Sequence, residues 1–116
     1  MHNFRQLQIW KEGMDVTKQV YLLLAKFPSS EKFGLISQIS RCAVSVPSNI
    51  AEGSSRSSDK EFAHFLSIAL GSLFELETQL LLAIELEIIN RNEMEPLIES
   101  IIQLQKKISA FKKTLK

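Results

Sequence analysis

Apolar residues recur at intervals of three and four along most of the chain, the spacing of a helix with one buried face. Leu7, Ile9, Trp10, Met14, Val16, Val20, Leu23, Leu24 and Phe27 predict a first helix over residues 6–26. Phe27-Pro28 stops it, because a residue before proline avoids the helical region. Phe33, Ile36, Ile39, Ala43, Val46 and Ile50 form the apolar stripe of a second helix, which Ser29 or Ser30 can cap. Its other side is small or polar at the same spacing: Gln38, Arg41, Cys42, Ser45, Ser48, Asn49, Glu52. Pro47 interrupts both stripes. It removes a backbone donor and clashes with the carbonyl of Ala43, so a kinked helix, or two short ones, is expected there.

Residues 52–57 read as a loop. Ser58 and Glu61 then form a capping box for a long third helix over 59–89, about 45 Å at 1.5 Å per residue. Asn90 or Asn92 can cap a fourth helix whose apolar face includes Leu97, Ile101, Leu104 and Ile108, with Pro96 blurring its start. Four helices with short connections predict an all-α fold: one domain over 1–116, an antiparallel up-down-up-down four-helix bundle with a kinked second helix.

The third helix has more apolar surface than one bundle can cover. Phe62, Phe65, Leu66, Ala69, Leu73, Leu76, Leu80 and Ala83 already make a full stripe. Leu70, Phe74, Leu81 and Ile88 widen it, and Gly71 and Ser72 sit in mid-helix, where small residues admit a close neighbour. A helix apolar nearly all round is buried nearly all round. Leu70, Gly71, Phe74 and Leu81 are therefore candidate contacts of a homo-oligomer.

Composition narrows the classes of function. Of 116 residues, 45% are apolar and 23% charged, an ordinary globular balance. Fourteen basic against 13 acidic residues leave a net charge of +1, so no global field draws the protein to nucleic acid. The charges are sorted, however. Residues 75–99 carry seven acids and one base, Arg91, whereas residues 106–116 carry five lysines and no acid. An antiparallel fourth helix is expected to lay those lysines along the acidic part of the third. A single cysteine, Cys42, excludes an internal disulfide and fits a reducing compartment. The first 13 residues lack an apolar signal core, and the longest uncharged run, residues 62–74, is too short to span a bilayer. A soluble, cytoplasmic protein is the expectation.

Catalytic signatures are weak. Glu61 and His64 form an E-x-x-H on a helix, the spacing of di-iron bundles, but a second such pair is missing. A metal-binding or enzymatic bundle using Glu61 and His64 is the alternative reading; no cofactor is expected. The polar residues in apolar settings say more. Glu75 and Glu77 lie among leucines, and a carboxylate there needs a partner. Arg41 is expected to pair with Glu75 or Glu77. Asn49 or Gln79 is expected to satisfy the backbone freed by Pro47. Arg41, Ser45, Pro47, Asn49, Glu52, Glu75, Glu77 and Gln79 are thus a candidate polar network. Arg41, Arg56, Lys106, Lys107, Lys112, Lys113 and Lys116 are candidate phosphate contacts, should RNA, DNA or a nucleic-acid enzyme be the partner.

The motifs Phe27-Pro28, Glu31-x-Phe33-Gly34-Leu35-x-Ser37-Gln38-Ile39, Arg41-x-Ala43-x-Ser45-x-Pro47-Ser48-Asn49-Ile50-Ala51-Glu52-Gly53 and Phe65-Leu66-x-Ile68-Ala69-x-Gly71-Ser72-x-x-Glu75-x-Glu77-Thr78-Gln79-Leu80 resemble a known family. It is the bacterial four-helix bundle family first noted as proteins encoded in 23S rRNA intervening sequences. The resemblance implies an antiparallel four-helix bundle and a ring-like homo-oligomer, a pentamer. Some relatives look like the accessory variability proteins of diversity-generating retroelements, which are strongly basic and partner a reverse transcriptase and nucleic acid. This chain, at +1, departs from that pattern. The resemblance carries over no catalytic residue, and a non-enzymatic, homo-oligomeric interaction or scaffold module is the expectation for the chain as a whole.

Overall fold

The structure, a computed structural model, describes residues 2–31 and 34–116. A 3₁₀ turn, Phe4–Gln6, leads into α1, Gln8–Leu24. A second 3₁₀ turn, Ser29–Glu31, precedes α2, Leu35–Ser54. Then come α3, Asp59–Glu85, and α4, Arg91–Lys113. Each helix packs on the next and α1 closes against α4, so α1 and α3 lie diagonally across a bundle 44 Å long.

The heptad-like spacing explains the core. Ile39, Ala43, Val46 and Ile50 of α2 face Phe62, Leu66, Ala69, Leu73, Leu76 and Leu80 of α3, all buried. Val16 and Val20 of α1 and Ile101, Leu104 and Ile108 of α4 close the other sides. At roughly 1.5–3 kcal/mol for each fully buried large side chain, this core dominates the stability. Of the expected stripes, Met14 is 49% exposed, and Leu7, Trp10, Ile36 and Phe65 are only half-buried. Phe33 lies outside the described residues.

Capping fixes three helix ends. Ser58 Oγ accepts from the Glu61 amide at 3.1 Å and donates to the Glu61 carboxylate at 3.2 Å. Asn90 caps α4 by accepting from the Asn92 amide at 2.8 Å. α3 stops at Glu85, four residues short of the expected end. Glu87 takes a left-handed conformation (φ 59°), and the amides of Glu87 and Ile88 turn back to the carbonyls of Ile84 and Ala83, both at 2.9 Å. This is a Schellman stop, built without the usual glycine. Neither Ser29 nor Ser30 caps α2. They belong to the preceding turn, and Gly34 occupies the cap.

α2 is one continuous helix through Pro47, and not two. It also runs one turn further than the sequence indicated, so Glu52, Gly53 and Ser54 are helical. α3 has the length and hydropathy of a membrane-crossing helix, 1.4 over its most apolar 18 residues, although its uncharged run is short. In the bundle one face of it is buried against α2 and α4 and the opposite face is open.

Candidate interaction surface

The seam between α2 and α3 is close because its residues are small. A Cβ on Gly53 would stand 2.6 Å from Phe65 Cβ and 2.9 Å from Phe62 Cδ1, so only glycine lets α2 approach there. About two turns along, Ser45 and Ser72 share a hydroxyl hydrogen bond of 2.9 Å, and Asn49 Nδ2 donates to Ser45 Oγ at 2.9 Å and to the Ser45 carbonyl at 2.8 Å. Further along, Cys42 is half-buried beside Glu75 and Gln79. Burial first, and then the negative charge of Glu75, push its thiol above the ordinary range, while a hydrogen bond from Gln79 pulls the other way. The Gln79 Oε1 atom, also buried, has no partner among the described residues.

The acceptor that Pro47 leaves without a backbone donor is the carbonyl of Ala43. Its partner is neither Asn49 nor Gln79. Thr17 Oγ1 on α1 donates to it at 3.0 Å, and to the Gly13 carbonyl at 2.8 Å. Gly13, buried, lies against Pro47 and Val46.

Arg41 does not pair with Glu75 or Glu77. It is exposed, and among the described residues the ion pairs are His2–Asp59, Lys26–Glu93, Arg56–Glu52 and Lys107–Glu12. The α2 positions that do face the seam, 42, 45, 49 and 53, leave residue 41 one step outside it. Glu77 instead accepts from Gln105 of α4 at 2.7 Å, and Glu75 is exposed. Glu52 is exposed and meets Arg56 at 3.8 Å, while the Arg56 guanidinium lies 4.8 Å from the Phe65 ring centroid. So Ser45, Asn49, Gln79 and Pro47 gather at or beside the seam, and Arg41, Glu52 and Glu75 stand outside it.

The outer face of α3 carries apolar side chains that nothing in the protomer covers. Ile68 is 40% exposed, Phe74 52%, Leu82 45% and Leu86 58%. Gly71 is exposed, with no atom within 4 Å of where a Cβ would stand. Of the expected contacts, Leu70 and Leu81 are half-buried at the edges of this stripe.

The lysines of α4 do not lie along the acidic part of α3. Antiparallel packing puts the end of α4 beside the beginning of α3: Lys106 and Lys113 flank Leu70 and Phe74, and Lys112 joins Lys60 and His64. Lys107 turns the other way, to Glu12 at 2.9 Å. Glu61 is occupied in the cap, and His64 stacks edge-on to Phe65. Among the described residues no three His, Cys, Asp or Glu side chains converge to hold a metal ion.

Two comparisons place this chain among known proteins. A family model described as 23S rRNA-intervening sequence protein matches residues 5–110. The bundle is similar to the crystal structure of a protein of unknown function from the S23 ribosomal protein family of Bacteroides thetaiotaomicron. Their TM-score is 0.84 and their identity 25%, over 90% of this chain and 98% of that one. No curated protein matches.

Proposed function

This chain belongs to the 23S rRNA-intervening sequence protein family, and from that premise we propose a non-enzymatic, homo-oligomeric interaction module that works as a scaffold in the cytoplasm. The observation that carries the reading is the uncovered stripe on α3: Ile68, Phe74, Leu82 and Leu86, with Gly71 open between them. Large apolar side chains left uncovered along one helix mark a contact site. A second copy is the partner we propose, and the resemblance in the sequence supports a ring of five. Sedimentation at tens of micromolar is the test; a single species at the 13.2 kDa of one chain would sink the proposal.

The finer part of the proposal is an accessory role in a nucleoprotein complex. The family description names a ribosomal RNA insertion, and the similar crystal structure is of a protein assigned to a ribosomal protein family. Arg41 supports it as an exposed cation with no side-chain ion pair among the described residues; the half-buried Lys112 and the exposed Lys116, whose backbone amide meets Asp59 at 3.0 Å, also have side chains in no ion pair. Arg56 and Lys107 are weaker candidates because each meets a glutamate. Phosphate contacts lose affinity steeply with salt. Titration of a single-stranded RNA across a salt series tests the role: absence of binding at low salt removes it, with the oligomer reading intact.

A further inference from the structure

The two ends of the α3 stripe differ in charge, and each lacks its complement within the protomer. At the middle of α3, Leu70, Phe74 and Ala110 floor a groove of about 490 Å³ between α3 and α4, with Lys106 and Lys113 on its rim. At the other end, Leu82 and Leu86 project beside Glu85 and Glu87, where the left-handed Glu87 closes the helix. All four charged residues are exposed and in no ion pair among the described residues. Phe74 and Leu86 are separated by twelve positions of one rigid helix, about 18 Å. A protomer therefore cannot place its acidic end in its own basic groove.

We propose that the groove receives the acidic end of α3 from a second copy, Leu82 and Leu86 covering Phe74 and Leu70 while Glu85 and Glu87 meet Lys106 and Lys113. This rests on the homo-oligomer reading and names its contact. The surfaces are different on the two sides, so the contact is head-to-tail, and repetition closes a ring or extends a filament. Apolar burial supplies affinity, and the charge pairs set register and orientation.

Charge reversal tests it. Lys106→Glu with Lys113→Glu, and Glu85→Lys with Glu87→Lys, each bring like charges together across the contact. Each double variant alone is expected to sediment as one chain, with its thermal melt kept within a few degrees. Mixing the two is expected to restore association, as open chains or even-membered rings, because each complements the other and strict alternation cannot close a ring of five. The wild type is expected to dissociate as salt rises, a readout that does not depend on how the variants fold. A monomeric wild type overturns the oligomer reading and this contact with it. A wild-type oligomer whose variants stay assembled, or that fails to reassemble on mixing, overturns the contact alone.

Discussion

The hydroxyl of Thr17 on α1 donates to the carbonyl of Ala43 on α2, the acceptor that Pro47 deprives of its own backbone donor. A proline in mid-helix is thus answered from the neighbouring helix. Thr17→Val keeps the shape and removes the donor, leaving a buried carbonyl unpaired. The expected loss is about 1–3 kcal/mol in urea unfolding. In a Pro47→Ala background the helix supplies its own amide, and the same substitution is expected to cost clearly less. Equal costs in both backgrounds would break the link between the two residues.

Gly53 and Gly13 are both buried, and their alanine variants are expected to differ in sign. At Gly53 the methyl would enter Phe65 and Phe62 at 2.6 and 2.9 Å, and repacking is expected to cost about 1–3 kcal/mol. At Gly13 the nearest atoms, on Pro47 and Val46, stand at 3.5 Å, an ordinary contact. Helix propensity then favours alanine by about 1 kcal/mol. Paired thermal melts check the order: Gly13→Ala above wild type and Gly53→Ala below it.

Gly71 separates the protomer from the assembly. Nothing in the protomer opposes a methyl there, so Gly71→Ala is expected to stabilise dilute protein by about 1 kcal/mol. The same methyl stands on the stripe proposed to meet another copy, and sedimentation is expected to show weaker association. A variant that melts higher and associates as before would remove Gly71 from the contact.

Cys42 is expected to react slowly with iodoacetamide at pH 8, slower than free glutathione, because burial and Glu75 hold the thiol protonated. The rate should climb only as pH passes above the ordinary thiol range. Glu75→Gln removes one of the two causes that raise the pKa, so more thiolate forms at pH 8 and alkylation accelerates. An unchanged rate would place Glu75 too far away to act.

What could be read beforehand were features with short-range signals. The 3-and-4 apolar spacing gave four helices, and Ser58 with Glu61 and Asn90 marked two of their starts. Pro47 announced an orphaned carbonyl, but its partner lies 26 residues away, and sequence spacing carries no sign of a cross-helix hydroxyl. Arg41 was assigned to Glu75 or Glu77 by charge alone; the helical register, with 42, 45, 49 and 53 at the seam, puts it outside. Antiparallel packing alone does not lay the lysines of α4 along the acids of α3, because it sets the end of α4 beside the first half of α3, whereas the acids Glu75, Glu77 and Glu85 lie in its second half. The end of α3 was set too late because a glutamate, and not a glycine, takes the left-handed stop.

Pro47 also bears on the order of folding. A helix with proline in its interior is poor on its own, by about 3 kcal/mol relative to alanine. α2 therefore cannot be a persistent seed. It becomes favourable as α1 docks, when Thr17 takes up the free carbonyl and Gly13 lets Pro47 lie flush. If the α1–α2 hairpin forms before the folding barrier, Thr17→Val is expected to slow refolding as well as hasten unfolding, which stopped-flow kinetics checks; an unchanged refolding rate would place that contact after the barrier.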